Sequence, residues 1–158
     1  KWLSDAFQGE RVPTLEEALQ LTLGKALLVI EIKQQDIESA VLEVVRRVGA
    51  IDWAMAWSFW PEVVARMRSL EPHLPCGLLT GPLNGSVIHE ALSLGAQGLG
   101  VYYQSLGEDL VRLAHRKALW VYAWTVDRPA DVRRLAGAGV DGIVSNYPNV
   151  ALSVLRGR

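Results

Sequence analysis

The chain has 158 residues, of which 50% are hydrophobic, and a formal net charge of -1. This length is enough for one substantial hydrophobic core, and the charge balance argues against nucleic-acid binding, which needs a basic patch or stripe. No apolar run approaches the roughly 18–20 residues of a membrane span. The single cysteine, Cys76, excludes an internal disulfide.

The first predicted elements are a helix over 14–23 and a strand over 26–33. Thr14 followed three residues later by Glu17 is a capping box, which marks the start of a helix. In the strand, the apolar run before Glu31 predicts burial on both faces. Side chains two residues apart on a strand point the same way, so Glu31 and Lys33 share one face. Each charge is costly to bury without a partner, so they either pair with each other or face another group.

Strands and helices then alternate to the end of the chain. In the segment 36–50, apolar residues recur at helical spacing until Gly49, which is typical of an amphipathic helix with a glycine stop. The further predicted strands are 53–59, 76–80, 98–103, 119–127 (the longest) and 141–148, and the further predicted helices are 61–70, 86–96, 107–118, 129–139 and 149–158.

Strands that alternate with helices at this spacing predict βα units and a parallel sheet. Two architectures compete, an open doubly wound sheet and a TIM (β/α)8 barrel. Polar residues gather at the carboxyl ends of successive strands, which is the active-site face of a barrel, and no glycine-rich phosphate loop is present. We therefore predict a single α/β domain over 1–158 that is an incomplete barrel of about six of the eight units. The polar residues are Glu31, Lys33, Ser58, Thr80, Tyr102, Tyr103, Thr125, Asp127, Ser145 and Asn146.

Two units short of a closed barrel, the chain would expose long strand edges, which favours aggregation. We expect these units to precede Lys1, because a helix already comes before the first predicted strand. A shorter, non-catalytic protein is the alternative. No secretory signal is visible, and we expect a cytoplasmic protein.

Four stretches carry a family resemblance: FQGERVPTLEEAL, LVIEIK, VYAWTVD and GVDGIVSNYP. Together they resemble the glycerophosphodiester phosphodiesterase family, and the resemblance covers essentially the whole chain. The family has a TIM-barrel fold and hydrolyses glycerophosphodiesters to glycerol 3-phosphate and an alcohol with a divalent cation, typically calcium or magnesium. The resemblance implies the same fold, activity, small-molecule substrate and metal for this chain.

The resemblance also implies roles for individual residues. Glu31, in the E-x-K strand, would be a metal ligand, and Lys33 would lie near the substrate phosphate as a catalytic group. Trp124 would line the substrate pocket, and Phe59 would form an apolar wall. The alternatives are a simple ion pair of Glu31 with Lys33 and core packing of the two aromatic rings.

Tyr102 or Tyr103 could hydrogen-bond substrate at the mouth of the barrel. The family's H-R-G, H-D and E-x-D motifs, which supply its acid–base histidines and its other metal ligands, are absent from this sequence. The three histidines His73, His89 and His115 fall in a turn and in predicted outer helices, so they do not replace the missing pair. We therefore expect this stretch alone to be inactive, and a partial-barrel binding module, or another phosphate-ester enzyme on the same fold, remains the alternative.

Overall fold

Six parallel strands form one sheet in the computed structural model, which describes residues 7–157. Each strand pairs with the next along the chain, in the order β1 to β6. The strands are β1 Leu28–Glu31, β2 Ala54–Ser58, β3 Cys76–Thr80, β4 Gly98–Tyr102, β5 Trp120–Trp124 and β6 Gly142–Ile143. A doubly wound sheet reverses its strand order at a switch point, so this unbroken order favours the barrel.

A helix follows every strand, and one helix precedes the first. These helices are α1 Leu15–Thr22, α2 Glu38–Val48, α3 Pro61–Leu70, α4 Gly85–Ser93, α5 Glu108–His115, α6 Pro129–Ala138 and α7 Pro148–Arg156. The predicted capping box is present, because the Thr14 hydroxyl accepts from the Glu17 backbone and the Glu17 carboxylate accepts from the Thr14 backbone. Gly49 ends α2 in the left-handed conformation, with φ of 72°.

The hydrophobic core lies between the sheet and the helices. Leu99, Val101, Val121 and Ala123 are fully buried on the helix-facing side of the neighbouring strands β4 and β5. Their neighbours in sequence point to the opposite, concave side, as strand alternation requires. The structure therefore confirms the incomplete TIM-barrel prediction as a half-barrel of six strands, with β1 and β6 at its outer edges.

Several predicted boundaries are wrong. The first strand is shorter than 26–33, and it is not buried on both faces, because Val29 on the concave side is 47% exposed. The strand predicted over 119–127 as the longest spans five residues, as do β2, β3 and β4. The last strand has two residues rather than the predicted eight. The helix predicted to 158 ends at Arg156, and its last predicted position lies outside the described residues.

The described helices are short. Within residues 7–157, no helix has the length and hydropathy to cross a bilayer.

Candidate active site

A cavity of about 460 Å³ opens on the concave side of the sheet, close to the carboxyl ends of the strands. Its wall combines two charged residues with aromatic and small apolar ones. The lining residues are Val29, Glu31, Lys33, Trp57, Phe59, Leu79, Gly100, Tyr122, Trp124, Thr125 and Val144. All six strands or the segments directly after them contribute, so the cavity depends on the whole half-barrel.

Glu31 and Lys33 lie together on one wall of this cavity, as the alternation of the strand predicts. The Lys33 ammonium is 3.4 Å from the Glu31 carboxylate, so the two groups also form an ion pair. The Lys33 side chain is 76% exposed and the Glu31 side chain is 36% exposed. An ion pair this exposed contributes about 0–1 kcal/mol, so a stronger partner in the cavity can separate the two charges.

Phe59 and Trp124 form an aromatic wall in the same cavity. Their ring centroids are 5.5 Å apart and the rings are nearly perpendicular, at 86°. The Trp124 indole N–H is buried and has no hydrogen-bond partner in the described structure. This wall gives an apolar surface next to a charged one, which suits a ligand with carbon atoms beside an anionic group.

Tyr102 lies outside the cavity wall. Its ring packs against Trp124 with a centroid distance of 5.6 Å and against Tyr103 at 5.4 Å. It is 37% exposed at the end of β4. Tyr102 thus packs against the aromatic wall from the neighbouring strand β4.

Trp57 is the floor of the cavity, a role that the sequence analysis did not predict. It is 2% exposed, and its ring stacks on Tyr122 at 5.2 Å with an interplanar angle of 10°. A Cβ added at Gly77 or Gly100 would come within 2.5 and 2.7 Å of the Trp57 ring, so these glycines make room for it. The signal in the sequence is weak, because it requires pairing a tryptophan on one strand with glycines on two others.

Asp127 fixes the rim of the cavity beyond β5. Its carboxylate accepts hydrogen bonds from the Ser145 hydroxyl, at 3.0 Å, and from the backbone and side-chain amides of Asn146, at 2.8 and 2.9 Å. The Asn146 side chain, then the Asn146 backbone and the Ser145 hydroxyl hold the pKa of Asp127 below its usual value. Asp127 is therefore occupied in closing the turn before Pro148 and is not among the residues lining the cavity.

Comparison with known proteins gives the family. A model described as the glycerophosphoryl diester phosphodiesterase family matches residues 1–150. The chain belongs to this family. A glycerophosphodiester phosphodiesterase of Caldanaerobacter subterraneus subsp. tengcongensis is 31% identical over 158 residues, which are 96% of this chain and 65% of that protein.

Solved structures of similar fold support the same family membership. A glycerophosphodiester phosphodiesterase from Parabacteroides distasonis has a TM-score of 0.83 and 25% identity, and covers 92% of this chain and 65% of its own. A Silicibacter pomeroyi protein has a TM-score of 0.86 and 30% identity, and covers 93% of this chain and 57% of its own. The chain thus spans less than two thirds of the length of these relatives.

Within the described residues, this glycerophosphoryl diester phosphodiesterase family member has no histidine in the cavity wall. The His73 ring lies 3.3 Å from the Glu71 carboxylate in the turn after α3, His89 is on the exposed face of α4, and His115 contacts Asp141 at 2.8 Å.

A metal fits the donor chemistry of this cavity only in part. Calcium and magnesium prefer oxygen ligands, and Glu31 is the carboxylate in the cavity wall. No group of three or more histidine, cysteine, aspartate or glutamate side chains in the described part of the chain is placed to hold a metal ion. Glu31 can therefore be one ligand, and the described residues do not complete a metal site.

Proposed function

We propose that the protein hydrolyses glycerophosphodiesters to glycerol 3-phosphate and an alcohol. The observation that carries the proposal is the placement of Glu31, Lys33 and the aromatic wall around one cavity in a chain of this family.

Lys33 is the group we assign to the phosphate. The Lys33 side chain is largely exposed, and the residue lines the cavity two positions after the end of β1. A fixed positive charge stabilises a phosphodiester transition state, in which negative charge builds up on the phosphoryl oxygens. When the phosphate arrives, Lys33 exchanges its contact with Glu31 for contacts with those oxygens.

Glu31 is the group we assign to a divalent cation, calcium or magnesium. Separation from Lys33 leaves the Glu31 carboxylate free to donate oxygen ligands to a hard cation. Such an ion, when bound, would polarise the phosphoryl oxygens. Within residues 7–157, no group of three or more histidine, cysteine, aspartate or glutamate side chains is placed to hold this ion, so Glu31 would be a single carboxylate ligand.

Phe59 and Trp124 bind the glycerol moiety in this proposal. Carbon-bound hydrogens of glycerol can pack on the aromatic faces, and the unpartnered Trp124 indole N–H is a donor for a substrate oxygen. In this proposal Tyr102 packs against the Trp124 ring and holds it in place. Its hydroxyl is a candidate hydrogen-bond partner for substrate at the mouth of the barrel. A fold relative from Oleispira antarctica, with a TM-score of 0.78 and 20% identity, was solved in complex with the product sn-glycerol 3-phosphate.

The test is release of glycerol 3-phosphate from glycerophosphodiesters by the full-length protein, with and without a chelator. We expect the chelator to abolish activity, and Lys33→Ala to lower kcat/KM by about 100-fold or more, the size typical of removing one transition-state donor. Lys25→Ala is the matched control, since Lys25 is exposed and does not line the cavity. Activity that persists in chelator removes the metal from the proposal, and equal losses in both lysine variants remove the role of Lys33.

A partial-barrel binding module is the second candidate, and the absence of a histidine from the cavity wall of the described residues favours it. This candidate predicts saturable binding of glycerol 3-phosphate with no turnover of any diester. Calorimetric titration with glycerol 3-phosphate beside the activity assay separates the two. Turnover that is lost in Glu31→Gln but kept in Glu10→Gln, at an exposed position, excludes the binding module.

A further inference from the structure

Ser58 is a buried polar residue at the carboxyl end of β2, between two residues that line the cavity, Trp57 and Phe59. It is only 1% exposed. Its hydroxyl donates a hydrogen bond to the Ile32 carbonyl, at 2.8 Å, and accepts one from the Trp60 backbone N–H, at 3.1 Å. A hydroxyl has one proton to donate and a carbonyl has none, so these two partners fix the orientation of the Ser58 side chain.

The first of these bonds holds the wall of the cavity that carries Glu31 and Lys33. Ile32 lies between these two residues, directly after the end of β1, and its side chain is buried in the core. Its backbone N–H donates to the Trp57 carbonyl, at 2.8 Å, and its carbonyl accepts from Ser58. The backbone of Ile32 is therefore held by both of its polar groups, and strand alternation directs Glu31 and Lys33 together into the cavity.

The second bond holds the aromatic wall. Phe59 lies between Ser58 and Trp60, so the bond from the Trp60 N–H back to the Ser58 hydroxyl closes a local turn around it. No helix or strand contains Phe59, because β2 ends at Ser58 and α3 begins at Pro61. The placement of the Phe59 ring against Trp124 therefore depends on this turn.

Both bonds meet on one buried oxygen atom. Without the Ser58 hydroxyl, the Ile32 carbonyl and the Trp60 N–H would each lose a partner at a position closed to solvent. Unpaired buried polar groups are costly, so the two segments would shift until they found other partners. Such a shift changes the spacing between the charged wall and the aromatic wall, and a misplacement of about 1 Å can lower a reaction rate by about 100-fold.

We propose that Ser58 is a positioning residue for the proposed hydrolysis. Its hydroxyl sets the spacing between Lys33, which meets the phosphate, and Phe59, which meets the glycerol moiety. This inference rests on the proposed function. Ser58 itself acts without touching the substrate, since it does not line the cavity.

The test compares Ser58→Ala with Gln97→Leu in the full-length protein. Gln97 is the matched control, because its side-chain oxygen accepts from the Cys76 backbone N–H, at 2.9 Å, at the amino ends of β3 and β4. We expect kcat/KM for glycerophosphodiesters to fall about tenfold to 100-fold in Ser58→Ala and to stay within about twofold of the wild type in Gln97→Leu. Urea unfolding of both variants measures the loss of stability that accompanies each result.

Two further variants at position 58 separate the hydroxyl from the volume of the side chain. Ser58→Thr keeps the hydroxyl and should recover most of the lost activity. Ser58→Cys keeps a side chain of similar shape with only a weak donor, so it should lose activity as Ser58→Ala does, and it serves in place of Ser58→Ala if alanine prevents folding.

A double-mutant cycle with Lys33→Ala tests whether Ser58 acts through Lys33. Ser58→Ala should cost much less in the Lys33→Ala background than alone, because the spacing matters less once the ammonium is gone. Equal costs in both backgrounds, or a loss in Gln97→Leu as large as in Ser58→Ala, would overturn the positioning role. Wild-type turnover that Ser58→Ala leaves unchanged overturns this inference alone, whereas a wild-type protein that releases no glycerol 3-phosphate overturns the proposed function as well.

Discussion

Gly77→Ala tests the idea that glycines make room for the floor of the cavity. A Cβ at position 77 would lie 2.5–2.6 Å from three atoms of the Trp57 ring, about 1 Å closer than ordinary contact. The ring cannot retreat freely, because Gly98 and Gly100 also lie against it and Tyr122 stacks on it. Overpacking of this kind typically costs about 1–3 kcal/mol. Reduced freedom of the unfolded chain offsets about 0.4–1 kcal/mol of this.

The assay is urea unfolding followed by circular dichroism, which stays valid when a tryptophan is replaced. Gly137→Ala is the matched control, because a Cβ there meets nothing within 4 Å and the position lies inside α6. Alanine in a helix interior stabilises by roughly 0.5–1 kcal/mol relative to glycine, so the two variants should shift the free energy of unfolding in opposite directions.

A double-mutant cycle with Trp57→Leu isolates the contact. Removal of the ring should abolish the penalty of Gly77→Ala, which gives a coupling energy of about 1–3 kcal/mol. If Gly77→Ala is stabilising like Gly137→Ala, or costs the same with and without the Trp57 ring, the account of the cavity floor is wrong.

Three further predictions concern a helix cap, the rim and the thiol. Thr14→Ala removes the capping box with Glu17 and should lower the free energy of unfolding by about 1 kcal/mol in the same urea assay, whereas an unchanged midpoint would contradict the cap. Asp127→Asn should lower stability at neutral pH. Because the native pKa of Asp127 is depressed, its contribution is present above its unfolded pKa of about 4 and is lost as pH falls through the native pKa. Thermal unfolding of both proteins from pH 7 to pH 2 should therefore converge, and a constant gap would refute this. Burial raises the pKa of the Cys76 thiol to about 11, so iodoacetamide at pH 8 should modify it only after denaturant is added, and rapid labelling of the native protein would contradict its burial.

Local signals in the sequence were enough for most of the elements. The predicted helix 61–70 and the predicted strand 76–80 match Pro61–Leu70 and Cys76–Thr80, because a proline start and a short apolar run are unambiguous. The prediction of a strand over 119–127 was wrong at the carboxyl end, because β5 ends at Trp124. Asp127 there bonds to Ser145 and Asn146 instead of extending a ladder, and both β5 and β6 stop early. Those bonds join residues 18 and 19 positions apart, so periodicity could not reveal them.

In the candidate site, too, some residues were predictable from the sequence and others were not. Strand alternation alone predicted that Glu31 and Lys33 share one face, and both line the cavity. The role of Trp57 was not predicted, because its position depends on Gly77 and Gly100 in other strands, which have no side chain to occupy the space of its ring. The roles of Glu31, Lys33, Phe59, Trp124 and Tyr102 toward a substrate or a metal stay predictions.

The two-residue repeat of β1 has an evolutionary consequence. Glu31 closes a strand whose ladder runs from Leu28 paired with Ala54 to Glu31 paired with Trp57. Loss or gain of one residue upstream of Glu31 within that ladder would turn the acid and the amine together toward the helix layer and send Ile30 or Ile32 into the mouth. Insertions and deletions should therefore be tolerated in the loop after Lys33 but removed by selection within the strand. This should hold even where each side chain of the strand could be substituted individually.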